Sequence, residues 1–408
     1  MSKIRYILLL LCSLFFVQCL WNESELEPSY LPLDDSEYPY ADLPRLVIET
    51  VDFQQIRNKE TEVPAYLQIY GKDLPESDVK YLTIKGRGNS SFEMTKYGYK
   101  LEFENKESLF GMPRNRDWAL IAVHCDKSFL RNYISYRLAE QLGDEYAPRL
   151  RFVELYLNRE YLGLYQLTET VKVGKFRVAI PKNDSSFLFE RTTTESDKAS
   201  FYSSFQHLFE IHSPQNANEA SLSLLKDHIY AFENFIQTND GLNFDSLQKW
   251  IDVTDFARFL LIQEFAKNQD GNRRSTYLTW QKDSVLKMGP VWDFDLTYGV
   301  HFRKEIPPSG WYIRNYGWNR FLFKNKAYQK KVREFWEDHH STFKSVLDTI
   351  DILYPKLQKV ANNEYKRWPV LKEHSIWPFS KGYDSYTESV DSLKSWIVQR
   401  IEWIDQNL

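Results

Sequence analysis

Cysteine is scarce in this sequence, with three residues in a chain of 408. Cys12 lies inside an apolar N-terminal run and Cys19 follows that run, so Cys125 alone remains for the rest of the chain. A single cysteine excludes an internal disulfide and a zinc site built from several cysteines. We therefore expect stability to come from an apolar core, with Cys125 buried as a small apolar side chain.

The chain also lacks an excess of positive charge. Its 52 Lys and Arg residues are outnumbered by 56 Asp and Glu residues, which leaves a net charge of -4 at pH 7. This balance excludes a general basic surface, and we expect no nucleic-acid partner. Hydrophobic residues at 43% exclude a disordered chain and suffice for one large core or two lobes.

The one long apolar run lies at the N-terminus. Lys3 and Arg5 precede it, and it covers residues 7–17, which is typical of an export signal and short for a membrane-spanning helix. Cys19 stands where a lipoprotein signal places its lipidated cysteine. We predict a signal over residues 1–19 and a lipid anchor at Cys19 that holds the chain outside the cytoplasm, in the periplasm or at the cell surface. An uncleaved anchor and ordinary cleavage are the alternatives.

A change of pattern near residue 46 marks the start of the folded part. Residues 20–45 are rich in Asp, Glu, Ser and Pro and predict an acidic tether. Short β-type runs separated by turn residues follow, so residues 46–181 are expected to form a mainly β region with one helix. The expected elements are strands over 45–51, 63–70, 81–85 and 99–103 in an antiparallel sheet, a helix between Asp126 and Gly143, and a hairpin over 152–157 and 161–167.

Helical periodicity dominates after residue 181. A strand over 186–190 and a polar, Ser-rich stretch to about residue 220, expected to be a loop or an insertion, come first. Apolar residues then repeat every three or four positions in four segments: 222–237, 253–267, 327–352 and 390–407. The sequence thus predicts an α+β fold in which residues 182–408 are mainly helical.

A glycine-rich segment follows the third predicted strand. Residues 85–91 read Lys-Gly-Arg-Gly-Asn-Ser-Ser, and such backbone N–H groups and hydroxyls could cradle phosphates. The candidate phosphate ligands in this segment are Arg87, Asn89, Ser90 and Ser91. A tight hairpin with solvated polar residues is the alternative.

A lysine on the next strand is a further candidate. The strand alternates so that Lys100 projects away from the side that buries Leu101 and Phe103. Lys100 is therefore a candidate phosphate ligand. A solvated strand lysine is the alternative, and Lys96 is close enough to take the role instead.

Two later segments carry carboxylates beside apolar, strand-like residues. They cover residues 267–278 and 289–299 and contain Asp270, Asp293 and Asp295. Phosphoryl transfer needs hard oxygen ligands for Mg²⁺ and a carboxylate near the attacking hydroxyl, and these residues supply both. We expect a turn or bulge in this segment that directs both aspartates to one metal, and a structural role for one of the pair is the alternative.

Five blocks along the chain together resemble one known family. They are Arg87-Gly88-Asn89-Ser90-Ser91 through Lys100; Trp118-Ala119-Leu120 through Leu130-Arg131-Asn132; Glu154-Leu155-Tyr156-Leu157-Asn158 through Glu169; Asn268, Asp270 and Ser275; and Gly289–Gly299. In this order they are similar to the spore-coat-protein-H (CotH) kinase-like family, over roughly residues 80–300. Five ordered blocks are far more specific than any one motif.

This resemblance implies a two-lobed, atypical protein-kinase-like fold with a mainly β N-lobe and a mainly helical C-lobe. It implies ATP and Mg²⁺ or Mn²⁺ between the lobes and transfer of phosphate to Ser or Thr of secreted or surface proteins. Asp270 takes the catalytic position, and Asp293 and Asp295 take the metal-binding position. Lys100 pairs with phosphates, and the backbone near Glu169 meets adenine.

The sequence also departs from the ordinary kinase pattern. A kinase has Asn five residues after its catalytic Asp, whereas this chain has Ser275 there and Asn272 in the same loop. Ser275 and Asn272 are therefore both candidate metal ligands. A catalytically inactive surface assembly or adhesion protein on the same fold remains the alternative function.

Overall fold

The computed structural model describes residues 33–72, 78–376 and 379–408. The predicted signal over residues 1–19, the lipidation site Cys19 and residues 20–32 of the predicted tether lie outside the described residues. Within the described part of the chain, no helix is long and apolar enough to cross a membrane.

Seven strands from the first half of the chain form one closed barrel. They are β1 (Arg45–Thr50), β2 (Val63–Tyr70), β3 (Lys80–Arg87), β4 (Gly98–Glu107), β5 (Asn115–Ile121), β6 (Leu150–Leu157) and β7 (Glu160–Glu169). Their order is β1-β2-β3-β4-β5-β7-β6, and β6 returns beside β1 in parallel to close the ring. Alternate residues such as Leu82 and Ile84, or Leu101 and Phe103, fill the interior. Burying each such side chain contributes roughly 1.5–3 kcal/mol.

The hairpin between β6 and β7 turns through two residues. Asn158 and Arg159 have φ angles of 53° and 68°, the left-handed conformation that a two-residue hairpin turn requires. The hairpin expected from the sequence is therefore present, and it carries the two strands that complete the barrel.

The second half of the chain contains a five-stranded sheet as well as helices. Its strands are β8 (Ser186–Thr192), β9 (Ser200–Tyr202), β10 (Leu208–Ser213), β11 (Thr276–Gln281) and β12 (Lys287–Met288), in the order β12-β11-β8-β10-β9. A two-stranded sheet, β13 (Ser375–Ile376) and β14 (Phe379–Ser380), lies near the C-terminus.

The predicted two-lobed, kinase-like fold with a mainly helical C-lobe is wrong. The first sheet closes into a barrel, and the second half builds its own sheet against its helices. The Ser-rich stretch expected to be a loop contributes β9 and β10, because Leu208, Phe209 and Ile211 are buried there against the main core. Short strands with polar residues on one face escaped the sequence pattern.

The described helices are α1 (Arg131–Gln141), α2 (Glu219–Gln237), α3 (Phe244–Leu247), α4 (Val253–Ala266), α5 (Asn319–Leu322), α6 (Lys326–Arg367) and α7 (Tyr386–Asn407). The long helices bury their apolar sides in one large core shared with the five-stranded sheet. The C-terminal part of α6 reaches β7, where Glu364 accepts a hydrogen bond of 2.7 Å from the backbone N–H of Leu164. This helix therefore ties the barrel to the rest of the molecule.

Candidate functional site

Asp270 lies in a tight turn between α4 and β11. The backbone N–H groups of Arg273 and Arg274 donate to the carbonyl oxygen of Asp270 at 2.7 and 3.0 Å. The side-chain oxygen of Asn268 accepts the backbone N–H of Asp270 at 3.1 Å. These bonds hold the Asp270 side chain at a fixed place on the turn.

Asp293 and Asp295 lie in an irregular segment that follows β12. Asp293 has a φ angle of 68°, so the backbone leaves the extended conformation there. The Ser275 hydroxyl donates to Asp293 Oδ2 at 3.0 Å, and the Asn268 side chain donates to the Asp293 carbonyl at 3.1 Å. The irregular backbone expected from the spacing of the two aspartates is present, and both side chains face the same cleft.

This cleft has a volume of about 300 Å³ and lies between the barrel and the second sheet. The loop after β3 forms one wall, and the segments after α4 and β12 form the other. The predicted site residues that line it are Arg87, Asn89, Ser90, Ser91, Asp270, Ser275, Asp293 and Asp295. Six segments distant in sequence, including the start of α1 and the end of β8, meet there.

The loop after β3 approaches its own backbone closely at Gly88. Gly88 has a φ angle of 122°, and a Cβ atom there would lie 2.2 Å from the Ser91 hydroxyl. Glycine is therefore required for the compact turn that presents Asn89, Ser90 and Ser91 to the cleft.

The carboxyl groups of the cleft are poorly compensated. Burial raises the pKa of Asp270 to about 6, although Arg274 opposes the shift from 3.4 Å. Asp270 Oδ1 is buried and accepts no hydrogen bond from the residues that the structure describes. Burial and the neighbouring charge of Asp293 raise the pKa of Asp295 well above its ordinary value. Within the described ranges, neither Asp293 nor Asp295 forms an ion pair with a basic side chain.

Besides Arg274, which pairs with Asp270, the side chains of Arg87 and Lys96 border the cleft. The Arg87 guanidinium lies 5.0 Å from the ring centre of Trp292, and it forms no ion pair in the described part of the chain. Lys96 also borders the cleft, but its amine is fully buried and donates to Glu364 Oε1 and to the Leu164 carbonyl, both at 2.6 Å. Arg87 is therefore the cation that remains available to a ligand.

Three predicted site residues lie elsewhere. Lys100 pairs with Glu102 at 2.7 Å on the other side of β4. Glu169 accepts the backbone N–H of Arg149 at 3.0 Å and does not border the cleft. Asn272 accepts a hydrogen bond of 3.1 Å from the Arg191 side chain and lines a neighbouring pocket.

The sequence reasoning did not assign roles to several residues that shape the cleft. Asn132 accepts the backbone N–H of Phe294 at 2.8 Å, and Glu190 accepts the backbone N–H of Ser275 at 3.1 Å. Asn132 stands in a block already singled out, so its position in that block was an available signal. Glu190 lies on β8 and had no local signal, because only the folding of the second sheet brings it to the cleft.

A buried charge pair holds the aspartate segment in place. Asp126 is fully buried, accepts the backbone N–H of Arg131 at 2.7 Å at the start of α1, and forms an ion pair with the Arg131 guanidinium. Arg131 Nε donates to the Thr297 carbonyl at 2.9 Å. The helix begins at Arg131 with Leu130 as its N-cap, later than the start expected at Asp126, and the Asp126–Arg131 pair anchors the chain just beyond Asp295.

The donor set of the cleft fits a hard divalent cation. Carboxylate and hydroxyl oxygens are the ligands that Mg²⁺ and Mn²⁺ prefer. Asp293 and Asp295 lie together without a basic partner in the described part of the chain, and their proximity helps to raise the pKa of Asp295. Asp293 and Asp295 would hold the metal. The Arg87 loop across the cleft fits the phosphates that such a metal accompanies.

An oxygen-rich cleft with a facing arginine loop defines a class of protein suited to a metal–nucleotide ligand. A comparison with protein-family models matches residues 84–404 to the family described as CotH kinase protein. The match covers most of the chain, and the chain belongs to this family. The resemblance stated from the sequence is thus confirmed. No curated protein matches the chain significantly.

Proposed function

We propose that this protein is a protein kinase that uses ATP with Mg²⁺ or Mn²⁺ to phosphorylate Ser or Thr hydroxyls of secreted or surface proteins. The observation that carries the proposal is the convergence of Asp270, Asp293 and Asp295 in one cleft opposite the Arg87 loop. Membership of the CotH kinase family supports the same reaction class.

Each residue of the cleft has a role in this proposal. Arg87 and the polar groups of residues 89–91 bind phosphate oxygens, and Asp293 and Asp295 hold the metal, which supplies positive charge to the phosphates. Ser275 keeps the Asp293 carboxylate oriented through its 3.0 Å hydrogen bond.

Asp270 acts on the acceptor. The acceptor hydroxyl oxygen bonds to the γ-phosphorus, the bond from that phosphorus to ADP breaks, and the hydroxyl proton passes to the Asp270 carboxylate. A pKa near 6 leaves this carboxylate mostly ionised at neutral pH and basic enough to accept the proton.

Export and lipid anchoring at Cys19 remain part of the proposal. They rest on the pattern of the first 19 residues, and they set the expected substrates as proteins outside the cytoplasm.

The direct test is phosphate incorporation from labelled ATP into the protein itself and into added acceptors. Asp270→Asn and Asp293→Asn should each lower incorporation by about 10²- to 10⁴-fold, since they remove the proton acceptor and a metal ligand. Asp283→Asn is the matched control, because Asp283 is exposed and has a φ angle of 63°, close to that of Asp293. Incorporation that is undiminished in the two cleft variants would refute the assignment. No incorporation and no thermal shift with nucleotide by the wild type would favour the assembly or adhesion function.

A further inference from the structure

A second pocket lies on the other side of the turn that carries Asp270. It has a volume of about 580 Å³. Asn268 and Asp270 face the cleft, whereas Gln269 and Arg273 of the same turn line this second pocket. The two cavities are therefore separated by a few residues of one loop.

Positively charged side chains line the second pocket. Arg191, Arg273 and Arg320 line it, and no Asp or Glu among the described residues does. None of the three forms an ion pair in the described ranges of the chain. Arg191 is largely buried whereas Arg273 and Arg320 are exposed, so an anion in the cavity would find one desolvated guanidinium and two hydrated ones around it.

The nearest buried carboxylate does not neutralise this charge. Glu233 adds a favourable charge interaction to Arg191, but its oxygens accept hydrogen bonds from Ser203, Ser204, the backbone of Phe205 and Trp318. Burial and the charge of Arg273 still lower the pKa of Arg191 to about 10. The guanidinium is thus desolvated and insufficiently paired.

The pocket is built rather than formed by chance surface side chains. Arg191 Nη1 donates to Asn272 Oδ1 at 3.1 Å, which holds the guanidinium in place. Gly317 has a φ angle of 52°, and a Cβ there would lie 2.9 Å from Asn272 Oδ1 and 3.0 Å from Arg191 Nη1. Glycine at this position lets the wall approach the guanidinium closely.

The pocket and the candidate catalytic residue also interact electrostatically. The positive charge of Arg273 opposes the rise in the pKa of Asp270. The charges of the two groups also act on the pKa of Tyr312 on the pocket wall, which Arg273 lowers and Asp270 raises. Tyr316 is 55% exposed and lies beside Tyr312 with a ring-centre distance of 5.3 Å. An aromatic shelf thus adjoins the arginines, close to where an acceptor hydroxyl would meet Asp270.

We propose that this arginine pocket binds an anionic side chain of the acceptor polypeptide, either Asp or Glu or a residue that is already phosphorylated. The inference rests on the proposed function, because it places the acceptor hydroxyl at Asp270 and a neighbouring anionic residue among the three arginines. It predicts a kinase that selects acidic or previously phosphorylated acceptor sequences.

Binding without ATP tests the pocket separately from catalysis. The probes are fluorescein-labelled Ser peptides in which one position at a time carries Glu, Gln or phosphoserine, measured by anisotropy with the purified protein. At the favoured position, Glu or phosphoserine should bind at least about 10-fold more tightly than Gln at low salt, and the difference should shrink as salt rises. Stronger binding of phosphoserine than of Glu would assign phosphorylated acceptors, and the reverse would assign acidic ones.

Arg273→Gln and Arg320→Gln should each remove most of this preference. Arg137→Gln is the control, because it removes an exposed arginine on α1 that pairs with Glu140 at the surface. A nucleotide-induced thermal shift that is equal in all variants shows that they are folded. Equal binding of Glu, Gln and phosphoserine peptides to the wild type would overturn the proposal.

Phosphate transfer to the same peptides separates the two proposals. Anion-dependent binding without any transfer would keep the pocket and refute the kinase function. Transfer that does not distinguish Glu or phosphoserine from Gln would keep the kinase function and refute the pocket.

Discussion

Charged side chains are enclosed both where the barrel meets α6 and in the cleft, but the two regions differ in how the charge is balanced. At the barrel junction, Lys96 donates to Glu364 and Leu164, and Glu364 accepts a second bond from the backbone. In the cleft, Asp293 and Asp295 lie together without a basic partner among the described residues. A balanced pair holds a fold together, whereas an unbalanced group awaits a ligand.

The largest effect is expected at the balanced junction. Glu364→Gln leaves the buried Lys96 ammonium without its counter-charge and should lower the free energy of unfolding by about 3–5 kcal/mol, measured by urea denaturation. Glu140→Gln breaks an exposed pair and is the control, with an expected loss below about 1 kcal/mol. Similar losses in both variants would mean that the buried Lys96–Glu364 pair stabilises the fold no more than an exposed pair does.

Metal addition should stabilise the cleft but not the junction. Saturating Mg²⁺ at about 100 times its Kd should raise the free energy of unfolding of the wild type by about 2.7 kcal/mol. Asp293→Asn should lose this gain, because it removes a metal ligand, whereas Asp283→Asn should keep it. Thermal denaturation with Mg²⁺ and with a chelator measures both. An equal Mg²⁺ effect in the Asp293 variant would place the metal elsewhere.

When metal is removed by a chelator, the stability that the cleft contributes should depend on pH through Asp295. The folded protein raises the pKa of Asp295, so it holds this proton more tightly than the unfolded chain does. The contribution of Asp295 to the free energy of unfolding should therefore be fully present below the ordinary value of 3.8 and fall as the pH rises from there through the raised pKa.

Asp295→Asn should flatten this decline and gain on the order of 1 kcal/mol at pH 8, because an amide carries no charge beside Asp293. Urea denaturation across the pH range measures it. The prediction is wrong if the free energy of unfolding of the wild type rises with pH over this range, and rises more steeply than that of the variant. That result would mean that the charge of Asp295 is compensated in the folded protein.

The smallest effect is expected at Lys100, which the sequence favoured as a phosphate ligand. It pairs with Glu102 on the outer side of β4, so Lys100→Gln should change the free energy of unfolding by less than about 1 kcal/mol and leave nucleotide binding unchanged. Arg87→Gln should instead weaken nucleotide binding, since it removes the unpaired cation of the cleft. Calorimetric titration with nucleotide compares the two, and a greater loss in the Lys100 variant would reverse the assignment.

Local patterns predicted most elements of the fold. Alternation of apolar residues located β1 to β4 and the β6–β7 hairpin, and helical periodicity located α2, α4 and α7 near their observed bounds. The start of α6 was predicted, but the helix continues to Arg367, well beyond the predicted end at residue 352. The same patterns could not show that β6 returns beside β1, because strand pairing across more than 100 residues leaves no local trace. The closed barrel therefore went unforeseen.

The candidate site divides in the same way. Asp270, Asp293, Asp295 and the 87–91 segment were identified by residue type and by their order along the chain, since metal and phosphate chemistry restricts which side chains serve. Lys100 and Lys96 could not be separated, because the choice depends on which side of β4 faces the cleft and on where α6 places Glu364. Glu190 could not be found at all before the second sheet was known.

The sequence by itself determined the family, the carboxylates and the glycine-rich segment over residues 85–91, because these depend on residue chemistry and chain order. Only the tertiary structure decided that the first sheet is a barrel, that Lys96 is engaged by Glu364, and that three arginines surround a pocket behind Asp270. Each of these depends on contacts between segments far apart in the chain, and such contacts are set by packing of the whole core.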